Sequence, residues 1–256
     1  MTPLLFISCY VVYYLAVYAT KRYLDPRDRE AIQGPSAPWH PGHEHAMILS
    51  PDYWCAFRFK CAITDTSFGE QRAELLKRYV VTNNRVNVMF SVYLAMLCLV
   101  ASSFGKASPV FQVLALVAFI RLVSRGYEIA YAFGRDVLQK TPSTTGLNKT
   151  ERIRLALLSY FEIYFFSAAA YTALPTVANA AEAVALSLNV GTLTNVGYAF
   201  SKDCAPFVVN IVFVQVITTL SLVVLSLAAY LSRGEDARPN PSLHRTRLRR
   251  AGERKR

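Results

Sequence analysis

The sequence predicts an all-α, multi-pass membrane protein with about five transmembrane helices and one re-entrant helix and loop between the last two. Three observations predict it. Of the 256 residues, 53% are hydrophobic and the mean hydropathy is +0.25, too apolar for an ordinary soluble domain of this length. Several stretches approach the roughly 20 apolar residues that cross a hydrocarbon core of about 30 Å. The net charge of +11 is segregated: residues 21–85 hold ten Lys/Arg and residues 233–256 hold nine, whereas 105–108 and 175–206 hold only Lys106 and Lys202.

The elements follow in order. Leu4 to Ala19 is uncharged and aromatic-rich, and Lys21-Arg22 follows it directly. No basic residue precedes this run and no small-x-small site ends it. It therefore reads as an anchor spanning residues 1–20, not as a signal peptide. Residues 21–85 read as a cytoplasmic loop. Asp25 to Asp52 is rich in Pro, Gly and charge, which predicts irregular backbone. Ser67-Phe-Gly-Glu70 then has the spacing of a capping box, opening an amphipathic helix to about Tyr79 that feeds the second span.

Residues 86–152 supply two spans and an interfacial extension. Val86 to Phe104 is uncharged, and Pro109 to Ile120 is apolar before Arg121, Arg125 and Glu128 recur at helical spacing. That polar face predicts that the inner end leaves the bilayer and lies on its surface. Asn148-Lys-Thr150 matches a glycosylation sequon but falls on the cytoplasmic side. Residues 153–232 hold two more spans, Ile153 to Leu174 and the charge-free Phe207 to Leu231. Five alternating spans put every dense basic segment on one side, with the N-terminus outside and the C-terminus in the cytoplasm. Residues 233–256 cannot bury a core and form a basic, disordered tail whose charge attracts anionic lipid.

Between those last two spans lies T-L-T-N-V-G-Y-A-F, residues 192–200, preceded by a short run of good helix formers, Asn179 to Thr192. Span, short helix, T-x-T-x-V-G-Y and final span together resemble the pore module of the potassium channel superfamily, over about residues 153–232. Thr192, Thr194, Val196, Gly197 and Tyr198 match the family phrase. G-Y-E-I-A-Y-A-F-G-R-D, residues 126–136, also resembles an inner segment of bacterial members. The resemblance implies a homotetramer in a bacterial inner membrane, passing K⁺ through a filter at Thr194, Asn195, Val196, Gly197, Tyr198 and Ala199, with the backbone carbonyls of 194–198 replacing the ion's hydration shell. Thr192, Glu182 and Phe200 would belong to the pore helix and outer mouth. Three residues depart from the pattern: Asn195 replaces a filter Thr, Ala199 the second filter Gly, and Phe200 the Asp of the outer mouth. These departures leave a second reading open, a non-conducting regulatory or structural subunit that keeps the pore scaffold.

Within the fourth span, Glu162 needs a partner, because an unpaired carboxylate there is costly. Arg121 and Arg125 sit at similar depth on the neighbouring span, and an ion pair with one of them is expected. Two arginines four residues apart are a thin basis for a voltage sensor, so a structural pair is the plainer reading. His40, His43 and His45 gather three imidazoles that could ligate zinc, nickel or copper. Nothing nearby completes such a site, so a solvated loop and no metal are expected. The five cysteines have no C-x-x-C spacing and imply no disulfide framework. No phosphate-binding loop, nucleophile–base pair or paired catalytic carboxylates occur in a soluble segment, so neither an enzyme nor a resident cofactor is expected. The membrane reading explains every basic cluster, so nucleic acid is not an expected partner; the partners are other copies of the chain and membrane lipid.

Overall fold

A computed structural model describes residues 3–30, 32, 44–138, 145–202 and 206–223. Among them the chain forms nine α-helices: α1 (Pro3–Tyr23), α2 (Glu44–Leu49), α3 (Pro51–Thr66), α4 (Gly69–Ser103), α5 (Pro109–Leu138), α6 (Lys149–Tyr171), α7 (Ala180–Gly191), α8 (Val196–Lys202) and α9 (Pro206–Leu220). Four helices, α1, α4, α5 and α6, are long and apolar enough to cross a membrane; the apolar run at Val208–Val223 is shorter. Five spans were expected. The last was read as Phe207 to Leu231, and its residues from 224 onward lie outside the described residues, as does the basic tail.

α6 is the central helix. It packs against α4, α5, α7 and α9. Its buried residues include Ala156, Ile163, Phe166, Ala169 and Ala170, and small side chains at such positions let neighbouring backbones approach. α1 lies at the edge, against α3 and α5. Its inward stripe is Tyr13, Val17 and Lys21, spaced by one helical turn. Leu4, Ile7, Val11, Val12 and Leu15 face outward and are exposed, as lipid-facing residues would be.

The helix ends follow from local chemistry, with one departure from expectation. Asn148 caps α6 in a reciprocal box: its side chain accepts from the Glu151 N–H at 2.8 Å, and Glu151 accepts from the Asn148 N–H at 3.0 Å. The asparagine of the chance sequon match is thus a helix cap. Ser67 does not cap α4. Its hydroxyl donates back to the Ile63 carbonyl at the end of α3, Phe68 is the N-cap, and Gly69 takes φ +54°. With the corner made that way, α4 runs unbroken for 35 residues instead of as a surface helix joined to a span.

Residues 21–85 are more than a loop. Ser50-Pro51-Asp52 starts α3, with the Ser50 hydroxyl accepting from the Tyr53 N–H at 3.1 Å and proline at the first helical position, where its missing N–H costs nothing. Trp54, Cys55, Phe59 and Ile63 on this helix are buried. Cys55 therefore packs in a core. Nor does the inner half of α5 peel away as a surface helix. It stays in the bundle because Arg121, Arg125 and Glu128 find partners there.

α5 and α9 touch closely at Gly126. A Cβ there would lie 2.7 Å from Val214 Cγ1 and 3.0 Å from Thr218 Oγ1, whereas one at Gly134 would meet nothing within 4 Å. Gly126→Val should therefore cost about 1–3 kcal/mol through overpacking. Gly134→Ala, which gains helix propensity, should be neutral or slightly stabilising. Unfolding by sodium dodecyl sulfate in mixed micelles measures both; equal midpoints for the two variants would contradict the close contact.

Candidate functional site

Two parts of the bundle carry chemistry. The first is a buried charge network where α1, α3, α4, α5 and α6 meet. At 1.5 Å per residue, Arg121 lies about 18 Å and Arg125 about 24 Å along α5 from Pro109, well inside a span's length. Arg125 is gripped from both sides. Its Nε and Nη2 donate to Glu162 Oε1 and Oε2 at 2.6 and 2.7 Å, and its Nη1 donates to Glu128. This two-pronged geometry suits a planar guanidinium and would not suit lysine.

Arg121 takes a different partner. Its Nη1 donates to Asp52 Oδ1 at 2.6 Å and to the Tyr13 hydroxyl at 3.1 Å, and its Nη2 donates to Asn87 Oδ1 at 2.7 Å. The guanidinium carbon lies 5.1 Å from the Phe90 ring centroid and 5.5 Å from that of Phe166, a cation–π cradle. Asp52 is fully buried. It also accepts from the Ser124 hydroxyl at 2.7 Å and from Tyr13, and lies 3.8 Å from the Lys21 ammonium. Lys21 itself donates to Asn83 Oδ1 at 2.5 Å. Three cations, Lys21, Arg121 and Arg125, thus face three carboxylates, Asp52, Glu128 and Glu162, and the cluster is formally neutral.

The anticipated pair of Glu162 with an arginine is present, on Arg125. Asp52, Lys21, Tyr13, Ser124 and the asparagines were not singled out from the sequence. Some signals were there. Asn83, Asn84 and Asn87 fall on one face of α4 where its charged first part gives way to the apolar stretch, and Ser50-Pro51-Asp52 has the form of a helix start. Both arginines are held by carboxylates of other helices.

The second part is the segment between α6 and α9. α7 is 12 residues long, about 18 Å, and packs against both of those helices. Asn179 caps its start by accepting from the Glu182 N–H at 3.0 Å, and Glu182 accepts from the Ala178 N–H at 2.7 Å. Glu182, expected at a pore helix and outer mouth, is a capping residue of α7. Polar side chains tie α7 down. Tyr164 and Tyr160 donate to the Val184 and Gly191 carbonyls, and Ser187 donates to the Tyr164 carbonyl. Gln215 of α9 donates to the Ser187 carbonyl at 2.8 Å and accepts from the Tyr171 hydroxyl at 3.1 Å.

The residues expected to form a carbonyl filter are arranged otherwise. Thr192 is the C-cap of α7, its hydroxyl 2.8 Å from that of Thr194, and Leu193 takes a left-handed φ of +59°. Asn195 then caps α8, its side chain accepting from the Tyr198 N–H at 3.1 Å. Val196, Gly197, Tyr198, Ala199 and Phe200 are helical, so their carbonyls run along a helix axis instead of lining an extended strand. The departures from the family phrase explain this locally. Asparagine is among the best N-caps, and Ala199 favours helix where the second filter glycine would oppose it. Ala199 is fully buried, and Val196, Tyr198 and Phe200 pack against the core around α6.

Of the histidines, His45 approaches the Tyr127 hydroxyl at 3.1 Å. His40 and His43 lie outside the described residues, and no group of three metal-ligating side chains occurs among those described. No protein-family model, curated protein or solved structure matches this chain.

Removing one partner of a buried pair strands the other charge. Glu162→Ala should therefore cost about 3–5 kcal/mol. Leu157→Ala, on the exposed face of the same helix, is expected to change little. Unfolding midpoints in mixed micelles check this; parity between the two variants would mean that Arg125 is satisfied without Glu162.

Proposed function

We propose that this chain is one subunit of a membrane assembly built on a potassium-channel-like scaffold, whose activity is passive cation conduction. The observation that carries this reading is α7. It is too short to cross a bilayer, yet it is packed and hydrogen-bonded between α6 and α9. A short helix at membrane depth is tolerated where protein or a wet cavity surrounds it. A re-entrant pore helix meets that condition, and α6, α7 and α9 then correspond to outer helix, pore helix and inner helix.

The free face of α9 supports association. Asn210, Phe213, Ile217 and Leu220 are exposed along one side, opposite the side packed on the bundle. An asparagine in such a stripe suits contact with another helix or with water better than contact with lipid. Four copies around an axis would place these faces, together with the exposed Thr192, Thr194 and Asn195, toward the centre. K⁺ is the default permeant ion of this architecture, and the positive-inside rule applied to the basic segments favours a cytoplasmic C-terminal end for α5.

The helical state of Val196–Lys202 favours a second reading, a non-conducting subunit that retains the scaffold. Extended carbonyls would require α8 to unwind, and Asn195 and Ala199 oppose that.

Potassium and sodium flux into liposomes containing purified protein separates the readings. Wild-type flux would establish conduction. Asn195→Thr combined with Ala199→Gly removes both helix-favouring residues and should raise K⁺ over Na⁺ selectivity. Silence from wild type with flux from the double variant would favour the non-conducting reading. A monomeric particle in mild detergent would count against both.

A further inference from the structure

A cavity of about 180 Å³ opens where α4 and α6 begin and α5 ends, beside the charge network. Three polar side chains in its wall have hydrogen-bonding capacity that no described residue takes up. Glu128 accepts from Arg125 through Oε2, and its Oε1 accepts from nothing among the described residues. Asn83 accepts from Lys21 through Oδ1, and its Nδ2 donates to nothing among them. The Lys60 ammonium makes neither a hydrogen bond nor an ion pair there. Glu128 and Asn83 are only 6% and 7% exposed, so little of either reaches bulk water. Arg125 and Arg152 complete the charged lining and are both engaged, Arg125 with Glu162 and Glu128 and Arg152 with the Leu147 carbonyl.

These three groups are of both kinds. Lys60 and Asn83 offer donors that need an acceptor, and the Glu128 oxygen needs a donor. A bare anion would serve the donors and be repelled by Glu128. A cation would serve Glu128 and be repelled by Lys60, and an ester or ether oxygen can only accept. A hydroxyl donates and accepts at once, so a pair of neighbouring hydroxyls answers all three. Buried polar groups without partners cost free energy, so an occupant that supplies them is favoured. The remaining wall is apolar, including Val80, Ile129 and Phe133, and Ala132, also in the wall, is exposed, so the cavity opens beside it. At about 180 Å³ it is smaller than the roughly 300–1,000 Å³ that encloses a drug-sized molecule, so it suits a headgroup whose tail stays outside. Its level fits too: residues 128–133 fall about 28–36 Å along α5 from Pro109, at the far boundary of a core about 30 Å thick.

We propose that this cavity is a binding site for an uncharged group bearing two or more neighbouring hydroxyls, such as the head of an acylglycerol or a glycosyl lipid. One hydroxyl oxygen accepts from Lys60 and Asn83, and a neighbouring hydroxyl donates to Glu128 Oε1. The bonds to Lys60 and Glu128 are charge-assisted and are the strong ones. The apolar wall receives the first carbons beyond the head. The same hydroxyl chemistry arises in a free polyol. Neither source depends on whether the assembly conducts.

The test is thermal unfolding of the full-length protein in phosphatidylcholine nanodiscs, whose lipid carries no hydroxyl. The discs are titrated with monooctanoylglycerol, with methyl octanoate, which keeps the tail and lacks the hydroxyls, and with glycerol. A saturable rise in midpoint with monooctanoylglycerol, absent with methyl octanoate, is expected. A rise with the acylglycerol alone identifies a lipid headgroup site; a rise that includes glycerol over the same concentrations identifies a site for soluble polyols as well. Lys60→Met should weaken the apparent affinity by about tenfold or more, the worth of one hydrogen bond to a charged group. Ala132→Phe should weaken it similarly by filling the mouth, without touching a polar group. Should Lys60→Met fail to fold, Ala132→Phe, at an exposed position, carries the comparison. Equal rises with methyl octanoate and monooctanoylglycerol, no saturable rise with either hydroxyl probe, or unchanged affinity in the folded variants would overturn the proposal.

Discussion

The structure depends on satisfying charge in an apolar bundle. An unpaired guanidinium or carboxylate far from water is too costly to keep, so each of the six charges in the network dictates a neighbour. Arg125 and Glu162 fix how α5 lies against α6. Arg121 and Asp52 bring the start of α3 into the bundle, beside Tyr13 of α1. Lys21 joins the end of α1 to Asn83 of α4. Hydrophobic contact alone, being non-directional, would leave these helices free to slide and rotate; the ion pairs and hydrogen bonds set their register.

The charge network and the α7 segment are mechanically contiguous. Gly126, next to Arg125, lies against Val214 and Thr218 of α9. Gln215, next to Val214, holds Ser187 of α7 and Tyr171 of α6. One helix, α6, carries both Glu162 for the charges and Tyr160 and Tyr164 for α7. A shift of α5 relative to α6 would therefore be felt at the contacts that seat α7.

Residues 192–200 illustrate how local and family-level readings diverge. The matches at Thr192, Thr194, Val196, Gly197 and Tyr198 point to an extended filter, while Asn195 and Ala199 point to a helix. In the single chain the local preference prevails, because a cap and a few helical hydrogen bonds are available at once. An ion column and three neighbouring loops, which an extended filter needs, are supplied only by an assembly. Two misread segments have a similar origin. Ser67 and Glu70 have the spacing of a capping box, but the Ser67 hydroxyl reaches the Ile63 carbonyl first. Ser50-Pro51-Asp52 has the form of a helix start, but Pro and charge dominate the residues before it and predict loop.

The sequence by itself determined that the chain is helical and membrane-embedded, where most of the apolar helices lie, and that Glu162 requires an arginine. Those features follow from composition and periodicity, which act over one or two helical turns. Only the tertiary structure decided which arginine Glu162 takes, that Arg121 belongs to Asp52, and that α3 is core instead of loop. Asp52 and Arg121 are 69 residues apart, and no local pattern encodes a contact at that separation. Pairing among several buried charges is settled by which helices pack, and packing is a property of the whole bundle.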